Sequence, residues 1–258
     1  MIQLKMDTMK IRIVVLALLV LCANTRPVYA QPSDLPEHVM HIPIRRLNDT
    51  QLDAYVYNND LSKKRPLLLF CQGSGYDSNT EGFLGLASVA GDRAAGLVLE
   101  KQGVRYGDDG KQMRDEYRLH NNLHNRLMDA LRTLQYLRSH AEWWNGDLYI
   151  LGGSEGGLLA GLLASFYPQT KAVAILSYGG GMKFGEAWPI AVGLQAEAAD
   201  SSATAVENAI RSAADSLALA QRQPVYDRSY SGPDNTFAWW HSMMDLRLSN
   251  ALVDLDIP

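Results

Sequence analysis

The sequence predicts an α/β fold built on a doubly wound, mostly parallel sheet, and three observations carry that reading. Short continuous apolar runs recur at Pro66-Leu67-Leu68-Leu69-Phe70-Cys71, at Leu148-Tyr149-Ile150-Leu151 and at Ala172-Val173-Ala174-Ile175-Leu176. Runs of that kind suit strands buried on both faces. A long leucine-striped segment separates the first two, as a crossover helix would. Two of the runs pass directly into glycine-bearing turns, Gln72-Gly73-Ser74-Gly75 and Gly152-Gly153-Ser154-Glu155-Gly156-Gly157.

Taken in order, His38 to Ile44 and Leu52 to Tyr57 read as two short strands with Asn48-Asp49 between them, a hairpin. Asn58 to Arg65 is a polar connection to the strand at 66–71, and no helix pattern is evident directly after the turn at 72–75. Gly96-Leu97-Val98-Leu99-Glu100 is a further strand. Leu123, Leu127, Ala130, Leu131, Leu134 and Leu137 then fall at helical spacing, with Arg126, Asp129, Arg132 and Arg138 expected largely outside the apolar stripe. Asn145-Gly146 turns the chain into the strand at 148–151, the run from Leu158 to Ala164 is helical, and Pro168 stops it. The strand at 172–176 ends in Gly179-Gly180-Gly181. Beyond it Phe184 to Leu248 is rich in Ala and Ser, and Ala196 to Gln223 reads as helix. Trp188, Phe237, Trp239 and Trp240 add aromatic mass there. Two readings of this region stand: a helical insertion capping the carboxyl ends of the strands, or an aromatic cluster that closes the core. The resulting division is a leader over 1–30, an α/β core over 31–181, a helical cap-like insertion over 182–250, and a last stretch over 251–258.

The 258 residues suffice for one sizeable core, and 47% hydrophobic with 20% charged residues is an ordinary globular balance. A net charge of −4 without a Lys/Arg stripe argues against nucleic acid as a partner. The first thirty residues have the form of a signal peptide. Lys5, Lys10 and Arg12 precede the apolar stretch Ile13 to Ala23, and Val28-Tyr29-Ala30 is followed by a cleavage point before Gln31. The stretch is short for a spanning helix, so the expectation is a secreted or periplasmic protein with no membrane contact after cleavage; a retained anchor is the alternative. Cleavage removes four of the 24 basic residues and one of the 28 acidic ones, giving a net charge of −7. It also leaves Cys71 as the one cysteine. No intrachain disulfide is then available, and Cys71, at the end of an apolar strand, reads as buried and inert.

The stretch Gly152-x-Ser154-x-Gly156 between strand and helix has the pattern of a nucleophile elbow. There a serine sits on a strained bend with its hydroxyl lifted above the sheet, and the glycines let helix and strand approach. Together the two glycine turns resemble the α/β-hydrolase fold, in order and in a spacing of about eighty residues. Gln72-Gly73-Ser74-Gly75 is similar to that family's His-Gly-x-Gly loop, with Gln in place of His. The chain looks most like secreted bacterial hydrolases of the dienelactone-hydrolase and prolyl-oligopeptidase branches. The resemblance covers roughly Val39 to Gly181. It implies Ser154 as nucleophile and the backbone amides of Ser74 and Glu155 as donors to an anionic carbonyl oxygen, with Gly73 and Gly75 keeping the loop clear of substrate. Glu155 is expected to contribute its backbone, its side chain resting in the helix dipole. The resemblance implies no cofactor and no metal, and a small-molecule or peptide acyl substrate. An aromatic cap would give that substrate an apolar pocket. Oligomeric state is left open.

Other motifs are incomplete. Gly73-x-Gly75 lacks the third glycine of a dinucleotide fingerprint, since position 78 is Ser. His120 and His124 have a zinc-binding spacing but Asn121 stands where the motif needs Glu. Gly107-Asp108-Asp109-Gly110 lacks the downstream Glu of a calcium loop and reads as a turn. The catalytic base is the difficulty. In this fold an Asp or Glu and then a His follow the serine. The one histidine after Ser154 is His241, inside the helical region, and Asp254 and Asp256 precede the place expected for the acid. The sequence thus leads us to expect a fold whose last strands are missing, with the strand at 172–176 at an exposed edge and activity low or lost. Two functions follow: a secreted serine hydrolase of esters, thioesters or amides, or a non-catalytic ligand-binding module on a hydrolase scaffold.

Overall fold

The computed structural model describes residues 35–178 and 181–257. The expected leader over 1–30 and the glycines at 179 and 180 lie outside the described residues.

Six strands form one mixed sheet in the order β1-β2-β4-β3-β5-β6: β1 Val39–Arg45, β2 Gln51–Tyr57, β3 Arg65–Cys71, β4 Ala95–Leu99, β5 Trp144–Gly153 and β6 Thr170–Leu176. β1 and β2 are the expected hairpin, paired antiparallel with Met40 opposite Val56. Asp49 takes a left-handed φ of 66° at its turn, and the Asn48 side chain accepts from the Thr50 amide. β2 also pairs antiparallel with β4, and the three pairings among β4, β3, β5 and β6 are parallel.

Period-two alternation sorts the side chains to two faces. Leu52, Ala54, Val56, Leu67, Leu69, Cys71, Leu97, Leu148 and Ile150 fall on one face. Helices α3 (Leu123–His140) and α4 (Glu155–Phe166) supply that core with Leu123, Ala130, Leu134, Leu137, Leu158 and Leu163. The other face carries Tyr55, Val98 and Phe70, and it is covered by α1 (Thr80–Ala90) through Leu84 and Phe83. The approach of α1 is close: a Cβ on Gly96 would lie 2.2 Å from that of Ala87. Helices on both faces make the sheet doubly wound. The sequence does not predict α1, because Gly82 and Gly85 in its body, each costing about 1 kcal/mol of helix propensity, blur its pattern.

A short helix α2 (Asp115–His120) precedes α3. After β6 come α5 (Phe184–Ala198), α6 (Ala203–Arg222), α7 (Phe237–Met243) and α8 (Leu248–Leu252). The single helix expected over 196–223 is thus two. Asp200 turns the chain at φ 53°, and the Ser202 hydroxyl caps α6 by accepting from the Ala205 amide. This helical region shares the core described above. Trp240 is fully buried, with Trp188, Phe184 and Trp239 packed round it at ring distances of 4.7 to 5.6 Å. Ser242 accepts from the Leu123 amide at the root of α3, and a Cβ on Gly161 of α4 would meet Leu248 of α8 at 2.3 Å. β6 is the outer strand of the described sheet, with Leu176 56% exposed.

Candidate active site

The bend between β5 and α4 is built by exclusion of side chains. A Cβ on Gly152 would lie 2.0 Å from the Gly156 carbonyl oxygen, and one on Gly156 would lie 2.0 Å from that of Cys71. Both glycines are therefore required by contact, since neither has a left-handed φ. Between them Ser154 is forced to φ 54°, ψ −126°. A non-glycine residue in that region costs about 1–3 kcal/mol, which the surroundings must hold in place. The Ser154 amide does so by donating to the Leu176 carbonyl at 2.9 Å, tying the bend to the end of β6. Ser154 is exposed.

The loop after β3 lies against this bend. A Cβ on Gly73 would be 3.4 Å from the Gly153 carbonyl oxygen and 3.7 Å from the Ser154 Cβ. Gly75 has φ +100°, a conformation glycine takes without strain. Ser74 is exposed at the apex. The amides of Gly73, Ser74, Gly75 and Tyr76 donate to no protein acceptor among the described residues. Glu155, first residue of α4, carries one of the amides that a helix N-terminus leaves without an intrahelical partner. An exposed hydroxyl beside several free N–H donors is an arrangement able to hold a developing oxyanion.

While its amides are free, the loop's carbonyls are held from inside. Arg126 donates to the Gln72 carbonyl, and Lys101 Nζ (2.5 Å) and the Tyr117 hydroxyl (2.9 Å) donate to that of Gly75. Gln72 in turn donates from Nε2 to the Leu99 carbonyl. Arg126 also meets Glu155 at 2.7 Å, off the hydrogen-bonding direction, so the contact is ionic rather than a directed bond. Two expectations are corrected here. The Glu155 side chain is buried against Arg126 and does not simply rest in the helix dipole, because the close contact of α4 with β3 turns it inward. Arg126 and Asp129 do not lie on a solvent face of α3: Arg126 is 8% exposed and Asp129 pairs with the buried Arg46. The sequence reading gives no role to Lys101 or Tyr117, and it places Glu100 only at a strand end and Arg126 only outside the helix stripe.

Burial sets the electrostatics. Lys101 is pulled down to about 8 by burial and then by Arg126, against Glu155, Asp77 and Glu100. Glu100 is pushed up by burial, against hydrogen bonds from Ser78 and Thr80. The Cys71 thiol, at the end of β3, is pushed up to about 12 by burial, which keeps it a thiol at neutral pH. A cavity of about 30 Å³ lies behind the loop, lined in part by Gln72, Glu100, Lys101, Arg126 and Asp129. A larger groove, about 480 Å³, lies between the hairpin turn and α3 and touches none of Ser154, Ser74 and Glu155.

The remaining candidates are placed elsewhere or alone. His241 is exposed on α7, and Asp254 and Asp256 are exposed after α8. A close histidine–carboxylate pair does exist, His41 Nε2 to Asp53 Oδ1 at 2.7 Å, but it joins β1 to β2. Four strand spacings, roughly 19 Å, separate β1 from β5. Tyr178, just after β6, is the aromatic residue that reaches the bend: its Cβ would be 3.4 Å from one placed on Gly157. Asp108 of the turn at 107–110 pairs with Arg114. Among the described residues no group of three or more His, Cys, Asp and Glu side chains is placed to hold a metal ion, and no helix is long and apolar enough to cross a membrane.

No family model and no curated protein matches the chain. Some solved structures resemble parts of the chain. One is an α/β hydrolase from Novosphingobium aromaticivorans, 22% identical, with a TM-score of 0.43 over 60% of this chain and 50% of that one. Another is Est1E from Butyrivibrio proteoclasticus, 22% identical, with a TM-score of 0.38 over 53% and 49%. Oligopeptidase B from Trypanosoma brucei is 20% identical, with a TM-score of 0.42 over 58% and 22%. The chain spans half or less of the length of these structures. Its own strand order, helices on both faces and serine-bearing bend make a doubly wound, mostly parallel α/β sheet, the fold class that the sequence predicts.

Proposed function

We propose that the chain carries the nucleophile and oxyanion donors of a serine hydrolase acting on an ester, thioester or amide. Ser154 would attack the carbonyl, and the amides of Ser74 and Glu155 would receive the negative charge that develops on its oxygen. The observation that carries this reading is the strained Ser154, at φ 54°, exposed beside a loop whose amides have no protein acceptor. Mutational losses for one such donor are about 3–4 kcal/mol, so two account for a large share of an enzyme's rate. The substrate class stays at acyl compounds, small-molecule or peptide, which leave an alcohol, thiol or amine. A fluorophosphonate probe tests the proposal by mass spectrometry of the adduct. Labelling at Ser154 that Ser154→Ala abolishes supports it; equal labelling of both proteins removes the serine's role.

A second reading has its own observation. Turnover needs a base at the serine hydroxyl, and the histidine rings that make hydrogen bonds among the described residues, His41 and His140, bond Asp53 and the Tyr136 carbonyl instead. A ligand-binding module on the same scaffold would hold an acyl compound or its carboxylate at the loop amides without consuming it. Ligand binding to unlabelled protein with no product release over many equivalents of ester favours this reading over the first.

A further inference from the structure

We infer that Lys101 is a positioning residue: with the Tyr117 hydroxyl it grips the Gly75 carbonyl from inside the protein, so that the free amides of the loop at 73–76 are aimed at Ser154. The inference rests on the reading of Ser154 as nucleophile and deepens it. Lys101 follows β4 and is 6% exposed. An ammonium held there is costly unless it is satisfied, and among the described residues its hydrogen-bond acceptor is the Gly75 carbonyl, 26 residues earlier. Tyr117, itself fully buried, donates to the same oxygen. A carbonyl has two lone pairs, so this pair of donors fills it.

Peptide planarity turns that grip into an aim. In a trans peptide the N–H points opposite to the C=O. Fixing the Gly75 carbonyl inward therefore fixes the Tyr76 amide outward, and Arg126 does the same to the Gly73 amide through the Gln72 carbonyl. The Ser74 and Gly75 amides lie between two clamped peptides. Replacing Gly75 would strain the loop, because its φ of +100° is one that residues with a side chain rarely adopt.

The clamp is titratable. The charged groups facing Lys101 are Glu100 beside it, Asp77 of the loop, Arg126 of α3 and Glu155 of α4. Burial, and then Arg126, bring its ammonium down to about 8, so its charge is lost as the pH rises through that value. Loss of the proton removes the charge and one donor, and the hold on Gly75 weakens.

The experiment follows the amide NMR signals of Gly73 to Tyr76 in the full chain through the titration of Lys101, in wild type, Lys101→Met and Tyr117→Phe. The expected result is a shift of these signals with a midpoint near 8 in wild type and in Tyr117→Phe, absent in Lys101→Met. The fluorophosphonate labelling rate of Ser154 should fall about tenfold in Lys101→Met, the scale set by a sub-ångström to ångström misplacement of donors. Signals that ignore pH in wild type overturn the inference, as does labelling of Lys101→Met at the wild-type rate. If Lys101→Met does not fold, wild type and Tyr117→Phe decide the matter by the titration alone. A loop that titrates as expected in a wild-type protein the probe does not label supports the clamp and removes the nucleophile reading instead.

Discussion

Two buried ion pairs leave the same helix three residues apart and differ in what they hold. Arg46 from the hairpin turn meets Asp129 of α3 through Nε to both carboxylate oxygens, each at 2.9 Å, and through Nη2, while its Nη1 donates to the Gln51 carbonyl. That pair is geometrically complete. Arg126 meets Glu155 by one ionic contact at 2.7 Å, and both Glu155 oxygens lack a directed hydrogen bond among the described residues. Arg126 instead directs its other nitrogen at the Gln72 carbonyl. One member of each pair, Arg126 and Asp129, lines the same small cavity behind the loop. The difference teaches that the Arg46–Asp129 pair joins hairpin to helix, whereas Arg126 divides its nitrogens between Glu155 and the loop at 72–75. A fully paired ion is a fastening; a shared one transmits position.

The largest effect expected from this comparison belongs to Arg126→Met. It strands the Glu155 carboxylate in the interior and frees the Gln72 carbonyl. Breaking a buried pair in this way costs about 3–5 kcal/mol of stability. Chemical denaturation should read that loss, and Ser154 labelling should fall with it under conditions where the variant is still folded. A stable variant with unchanged labelling would break the comparison at once.

Arg46→Met comes next. Asp129 would be left without its partner, but its side chain is 14% exposed and reaches water more readily than that of Glu155 at 1%. Burial already pushes the Asp129 carboxyl up, so part of the cost is met by protonation. About 2 kcal/mol of stability should go, toward the low end for a buried pair because the group can relax. Labelling of Ser154 should stay at the wild-type rate. A parallel fall in labelling would mean that the two pairs act as one network.

How far the sequence announced all this depends on the range of the signal. The bend at Ser154 and the loop at 72–75 are local patterns, and their glycines are needed for contacts within a few residues or between adjacent strand ends, so they were legible. The strands were legible because continuous apolar runs admit few other readings; their ends shifted by a few residues, as in β5, which begins at Trp144 rather than Leu148. The polar layer behind the loop was not legible. Lys101 and Gly75, or Arg126 and Glu155, meet only through the crossing of β4, α3 and α4. One clue was present. At 100° per residue Arg126 falls about 20° beyond Leu137 on the wheel of α3, at the border of the arc that faces the core. An arginine on that arc had to find a buried anion, and Glu155 is the one it finds.

The smallest effect sharpens the comparison most, because it acts on both pairs without touching either. Asn122 caps α3, its side chain accepting from the Asn125 amide at 2.9 Å. Asn122→Ala should cost about 1 kcal/mol. The loss falls in the first turn, where Arg126 has its root one turn along and Asp129 sits nearly a turn further. If Arg126 transmits the position of α3 to the loop, fraying of that first turn should slow Ser154 labelling more than Arg46→Met does, although it destabilises the protein less. Stability and labelling would then run in opposite order across the two variants, which a role for Arg126 in general stability alone does not predict. Labelling that simply tracks stability across Arg126→Met, Arg46→Met and Asn122→Ala would reduce both pairs to fastenings.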